Sequence, residues 1–143
     1  MTPDVVTPQS LQTLRPARAR IDLDRLAANY HALAAFVPAP VMPVVKADAY
    51  GHGAVHVARR LQREGAPMLA VAYAEEGVAL RNAGIAVPIV VLTGIAPGQA
   101  PLLAEQGLTA VVSSAQTLAA TLQAAQHATG PLPVHVKVDT GMS

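Results

Sequence analysis

The fold predicted from this sequence depends on residues 44–53, VVKADAYGHG. Residues 41–45 are apolar and rich in β-branched side chains, which is typical of a strand covered on both faces. Lys46 stands at the tip of this predicted strand, before a glycine-punctuated turn into a helix. Because alternate residues of a strand share a face, we expect Lys46 to lie on the same face as Met42 and Val44.

A lysine at the end of an interior row of side chains is partly removed from water. Desolvation favours the neutral form of an amine, and a neutral amine can bind an aldehyde covalently. The alternative is an ordinary lysine whose charged end reaches solvent past the apolar row. The chemistry of the strand end alone favours that alternative for Lys46.

The residues from Lys46 to Gly53 resemble, at every position, the pyridoxal phosphate attachment motif of the alanine racemase family. The resemblance implies that Lys46 holds the cofactor through its amine and also acts as the base on the D-alanine side. It implies that Tyr50 hydrogen-bonds the cofactor phosphate. Related barrels that bind this cofactor, such as eukaryotic-type ornithine decarboxylases, carry shorter and different strings around their lysine.

A second stretch near the end of the chain, residues 134–139, alternates valines with His135, Lys137 and Asp139. Three ionisable groups on one face favour the mouth of a barrel over a sheet covered by helices on both faces. An edge strand with one solvent-exposed face is the alternative. Residues 136–142 are also similar to a second alanine racemase signature.

The second resemblance implies a modification of Lys137. The family's lysine at this position is often carboxylated on its amine, which predicts N6-carboxylysine here. It would hold an arginine that directly follows Ser143.

From residue 41 onward the chain alternates strand and helix, with a strand roughly every 20–28 residues, as βαβ units require. This alternation predicts an α/β fold with a parallel sheet and does not distinguish doubly wound from barrel sheets. The resemblance implies the first part, about five strands, of a parallel (β/α)8 TIM-type barrel. The predicted strands are 41–45, 68–73, 89–92, 108–112 and 134–139. The predicted helices are 54–65, 74–82, 97–106 and one that ends near 128.

Two of the predicted helices carry signals at their start. Glu75 and Glu76 fall in the first turn of helix 74–82, where acids complement the helix dipole without any catalytic role. Residues 113–116 fit a capping box that opens the last helix.

The N-terminal part predicts two segments. Residues 1–16 are expected to be flexible, and 17–143 to form the N-terminal portion of the cofactor-binding barrel domain. Residues 19–23 predict a short strand, with Asp24 as the N-cap of a helix over 25–36. The resemblance assigns that strand to a second β domain, built largely from the C-terminal part of the family's protein.

Composition excludes several classes of protein. The net charge of +1 argues against nucleic-acid binding, and the absence of cysteine excludes disulfides and thiolate metal sites. His31, His56 and His127 fall on predicted helices without a spacing suited to a metal, so no metal site is predicted. The sequence has no apolar run near the roughly 18 residues of a membrane span and no signal-peptide core. We therefore expect a cytoplasmic protein without membrane partners.

The resemblance implies a homodimeric racemase that interconverts L-alanine and D-alanine and supplies D-alanine for peptidoglycan. A serine or broad-specificity racemase of the same fold stays open, because the residues that select the substrate lie mostly outside this stretch. A complete barrel takes about 250 residues. We therefore expect the isolated 143 residues to be a truncated portion without turnover, and a non-catalytic fragment is the third alternative.

Overall fold

A parallel sheet runs through the part of the chain that the computed structural model describes, residues 19–141. Its strands lie side by side in chain order, and each neighbouring pair is parallel. The strands of this sheet are β1 (Leu69–Val71), β2 (Ile89–Val91), β3 (Leu108–Val112) and β4 (Val134–Val136). Each crossover between neighbouring strands contains a helix, which confirms the predicted α/β alternation.

The right-handed α-helices of the described residues are α1 (Leu23–Phe36), α2 (Ala54–Arg63), α3 (Ala74–Asn82), α4 (Ala100–Gln106) and α5 (Ala115–His127). A short 3₁₀ turn, Pro97–Gln99, precedes α4. None of the helices in residues 19–141 has the length and apolar character that crossing a membrane requires.

The predicted strand over residues 41–45 is reduced to a single bridge at the edge of the sheet. Val44 pairs with Ala70 of β1 in parallel, through Val45 N–H to Ala70 O (2.8 Å) and Ala70 N–H to Pro43 O (2.9 Å). Pro43 has no N–H to donate, which limits how far this pairing can extend. The prediction of a five-residue strand was therefore too long, although its place beside β1 gives the sheet a fifth position.

The prediction of a strand over residues 19–23 is wrong, because residues 19–22 are not in a strand and α1 begins at Leu23. The N-cap is Asp22 instead of Asp24. Its Oδ1 accepts hydrogen bonds from the backbone N–H groups of Asp24 and Arg25, both at 3.1 Å. A strand needs a neighbour to pair with, and the described residues offer none here. The flexible segment predicted over 1–16 lies outside the described residues.

Each face of the sheet has its own apolar cluster. The larger cluster packs β1, β2 and β3 against the helices, and the smaller one lies on the opposite face, called the inner face below. The buried apolar residues of the inner face are Ala70, Val90 and Val111. Apolar side chains on both faces are typical of the central strands of a parallel sheet.

One arginine joins the end of α3 to the end of α4. The guanidinium of Arg81 donates to the carbonyl oxygens of Ile85 (2.6 Å), Val87 (2.7 Å), Gln106 (2.9 Å) and Gly107 (3.0 Å). Burial lowers the pKa of Arg81 below its ordinary value, because the charged form loses hydration. These four hydrogen bonds fix the loops at the amino ends of β2 and β3.

A charged cluster holds α1 against α2. The carboxylate of Glu64 accepts from Arg60 Nε (2.6 Å) and lies 2.7 Å from His31 Nε2, and Arg60 also pairs with Asp24. These hydrogen bonds, that from His31 first and that from Arg60 second, lower the pKa of Glu64 below its ordinary value of 4.5.

We expect Glu64→Gln to lower the urea midpoint of unfolding at pH 7, and to lower it by less at pH 3. A carboxyl whose pKa is lower in the folded state stabilises the fold above its unfolded pKa, and this contribution is lost as the pH falls through the folded pKa. Glu105→Gln, on the exposed surface of α4, is the matched control and should behave like the parent chain at both pH values. A Glu64→Gln effect of equal size at pH 7 and pH 3 would contradict this account.

Candidate functional site

The segment Lys46–Gly51 after the edge bridge forms a turn of left-handed helix, called the left-handed turn below. Its four consecutive residues Ala47, Asp48, Ala49 and Tyr50 have φ between +51° and +55° and ψ between +38° and +51°. The backbone then reaches α2 through Gly53, at φ +89°. The sequence predicted a turn into a helix here, but not its handedness.

This conformation is unfavourable for residues with a Cβ atom. A left-handed residue costs roughly 1–2 kcal/mol, so the four together cost roughly 4–8 kcal/mol. Such a segment persists only where the surrounding contacts hold it, and strained backbone of this kind gathers at functional sites.

Hydrogen bonds within the segment supply part of that support. Ala49 N–H donates to Val45 O (2.9 Å), and His52 donates to Ala49 O through Nδ1 (2.8 Å). Asp48 Oδ1 accepts from Ala54 N–H (2.6 Å), so it caps α2 in place of the side chain that the N-cap Gly53 lacks. The hydrogen bond from His52 to Ala49 therefore stabilises the turn.

A further support comes from α3. Glu76 Oε1 accepts from Ala47 N–H (2.6 Å), while its Oε2 accepts from Ala72 N–H (2.8 Å) and Tyr73 N–H (3.1 Å). The sequence explained Glu76 by the helix dipole alone. A residue three positions after the N-cap commonly bonds the N-cap backbone, so the contact of Glu76 with Tyr73 could be predicted from the sequence. The contact with Ala47 could not, because the two residues are 29 positions apart.

Lys46 lies directly after the edge bridge, at the carboxyl end of the sheet. Val44 pairs with Ala70 of the inner face, but Val45, between Val44 and Lys46, has φ −120° and ψ 22°, outside the extended conformation, so the placement of Lys46 on that face stays a prediction. The side chain is half-buried, and within residues 19–141 its amine has neither an ion pair nor a hydrogen bond. The carboxyl end of the strands is where parallel barrels carry their active sites.

Tyr50 lies in the same left-handed turn as Lys46. Its side chain is 60% exposed and lines a cleft of about 310 Å³ between the turn and α1, with Leu26 and Tyr30 on the opposite wall. The phenol has no hydrogen bond to any other described residue and is available to a ligand.

Lys137 lies directly after β4, at the same end of the sheet. Its N–H donates to Val112 O (2.9 Å). His135 pairs with Val111 of the inner face, so alternation places Lys137 toward that face as well. Both side chains are exposed, and within the described residues β4 is also the edge of the sheet. Three strands separate Lys137 from Lys46.

The residues of the left-handed turn fit pyridoxal phosphate by their chemistry. The cofactor needs an amine for its aldehyde and a hydrogen-bond donor for its phosphate. Lys46 offers an amine without a carboxylate partner among the described residues, and Tyr50 offers a solvent-accessible hydroxyl one turn away. Residues 19–141 contain no group of three or more histidine, cysteine or acidic side chains that could hold a metal ion.

The sequence profile described as "Alanine racemase, N-terminal domain" matches residues 21–143. The chain belongs to the alanine racemase family. An alanine racemase from Symbiobacterium thermophilum is 43% identical over 133 residues, which cover 92% of this chain and 35% of that protein. The chain thus spans about a third of the length of the curated relatives it matches.

Solved alanine racemases share the fold. The enzyme from E. faecalis superposes with a TM-score of 0.80 at 37% identity, covering 90% of this chain and 36% of the other. A histidine racemase from Leuconostoc mesenteroides superposes with a TM-score of 0.76 at 28% identity, with the same coverage of both chains. These neighbours confirm the predicted fold class, part of a TIM-type barrel.

We expect Gly53→Ala to destabilise the protein by about 1–3 kcal/mol, because a residue with a Cβ is strained at φ +89°. The added Cβ would lie 3.7 Å from His56 Cδ2, an ordinary contact, so the effect isolates backbone strain. Urea unfolding measures it. Gly130→Ala is the control, because its Cβ would meet no atom within 4 Å, and its effect should stay within about 0.5 kcal/mol. Equal effects of the two substitutions would contradict the strained geometry.

Proposed function

We propose that this chain supplies the lysine-bearing part of a pyridoxal phosphate-dependent racemase that interconverts L-alanine and D-alanine. The observation that carries the proposal is the amine of Lys46, half-buried and without a carboxylate partner in the described residues, at the carboxyl end of a barrel sheet. Membership of the alanine racemase family supports the choice of alanine. A racemase of this kind would supply D-alanine for peptidoglycan.

Pyridoxal phosphate, when bound, withdraws electrons from the α-carbon of an attached amino acid and so weakens its C–H bond. The chain's own residues would anchor and orient the reacting groups. Lys46 would hold the cofactor and then, as a free amine, move the proton at one face of the α-carbon. Tyr50 would donate its phenol hydrogen to the phosphate. Lys137, carboxylated on its amine, would hold a basic side chain from beyond residue 143.

Racemisation requires a second proton-transfer group on the opposite face of the α-carbon. A single base tends to return the proton to the face from which it came. We propose that this group comes from the C-terminal domain of a partner subunit in a homodimer, so the isolated chain would not turn over substrate. A cytoplasmic location, and 17–143 as the start of the barrel domain, remain predictions of the same account.

A racemase acting on another amino acid is the second candidate. The likeness to a histidine racemase supports this candidate, and serine or broad specificity also stays open. The turnover rates of alanine, serine and histidine, compared in the longer protein, separate these candidates. Equal labelling of Lys46 by the cofactor is expected for all of them.

We expect borohydride reduction of the full chain with pyridoxal phosphate to place a stoichiometric pyridoxyl group on Lys46. The sequence has a built-in comparison, because Lys46 and Lys137 are its only two lysines. Peptide mass mapping locates the label. Lys46 should react because its half-buried amine has no carboxylate partner among the described residues and lies in the same turn as Tyr50, whereas Lys137 is exposed and has no part in this turn.

Two variants make this test specific. Lys46→Arg should abolish the stoichiometric label, whereas Lys137→Arg should leave it in place. Equal labelling of both lysines, or label on neither, would contradict the proposed role of Lys46.

A further inference from the structure

We propose that Glu76 is a positioning residue for Lys46, a role that rests on the proposed function of that lysine. Glu76 lies in α3, which follows β1, whereas the left-handed turn precedes β1 in the sequence. Its carboxylate nevertheless contacts the turn directly. It acts on the backbone: within the described residues no ion pair joins Glu76 to the amine of Lys46.

The two carboxylate oxygens of Glu76 bind different parts of the chain. Oε2 accepts from the N–H groups of Ala72 and Tyr73, which fixes the start of α3. Oε1 accepts from Ala47 N–H at 2.6 Å, the shorter contact. One side chain therefore joins the loop after β1 to the loop after the edge bridge.

The peptide group of Ala47 N–H is the one that follows the α-carbon of Lys46. Holding this group fixes the ψ angle of Lys46, and with it the direction of the side chain relative to the sheet. It also holds the first of the four left-handed residues, where the unfavourable conformation begins. Loss of the contact would let the turn relax and would let the amine of Lys46 sample other directions.

The simpler interpretation is that Glu76 only caps α3, as a residue at this helix position commonly does. The substitution Glu76→Gln separates the two roles. The amide oxygen of glutamine can keep both cap contacts, but its NH₂ then faces Ala47 N–H, and two donors cannot bond each other. The variant should keep the cap and lose the contact with the turn.

We expect the backbone amide of Ala47 to exchange with deuterated solvent about tenfold faster in Glu76→Gln than in the parent full chain, as loss of a hydrogen bond to a charged group predicts. Amides of α3 should keep their protection, which shows that the cap and the fold are intact. Glu75→Gln, on the exposed neighbour of Glu76, is the matched control and should leave Ala47 unchanged.

A second variant tests the contact without removing the charge. Glu76→Asp keeps the carboxylate but is one methylene too short to reach both loops, so it should also release Ala47. If Glu76→Gln does not fold, this variant decides. Unchanged exchange at Ala47 in a folded variant would overturn the inference, as would a loss of protection in α3 that equals the loss at Ala47.

Pyridoxyl labelling gives a readout that a helix cap alone would not move. In the folded Glu76 variants the ratio of label on Lys46 to label on Lys137 should fall, while Glu75→Gln keeps the parent ratio. An unchanged ratio would overturn the positioning role. Absence of label from Lys46 in the parent chain would instead overturn the proposed function, and the inference about the turn would then stand or fall on the exchange of Ala47.

Discussion

Four consecutive left-handed residues determine how the chain leaves the edge of the sheet, and the candidate site depends on them. The turn places Tyr50 one turn away from Lys46 and brings the chain back into α2 within a few residues. Because ordinary residues avoid this conformation, the turn requires support from outside itself. Two carboxylates provide it: Asp48 binds the start of α2, and Glu76 binds the start of the turn.

The alternation of strands and helices could be predicted because it follows from the spacing of apolar segments. The bounds of β3 and α3 match the prediction residue for residue, since Gly84 and Gly107 mark the ends of helices plainly. The capping box of α5 is shifted by one residue from the predicted 113–116, because Ser114 is the N-cap and Thr117 is its partner. Local chemistry is enough for elements of this kind.

The left-handed turn could not be predicted in the same way. Alanine and tyrosine avoid positive φ, and aspartate adopts it only as a single residue, so nothing in the motif indicates four such residues in succession. The motif therefore predicts a turn but not its handedness. The contact between Glu76 and Ala47 depends on two loops meeting at one end of the sheet, which no local pattern reports. The N-cap at Asp22 and the short edge bridge at Val44 likewise depend on which strands are present to pair.

The described sheet is open at both edges. On one side Val44 contributes only a bridge, and on the other Val136 of β4 is 74% exposed. Exposed edges and apolar side chains of this kind favour association with further strands. The open edges agree with the fact that this chain spans about a third of the length of its relatives. Pairing with further strands would cover apolar side chains, such as that of Val136, that face solvent here.

The central claim is the proposed role of Lys46 in moving the α-proton of an amino acid, tested in a protein that joins this sequence to the remaining length of a racemase of the family. The direct measurement is incorporation of solvent deuterium at the α-carbon of alanine in D₂O, followed by NMR for the parent protein and for Lys46→Ala. The account predicts that the parent incorporates deuterium into both enantiomers and that Lys46→Ala loses this exchange. Deuterium incorporation at the parent rate by Lys46→Ala would contradict it.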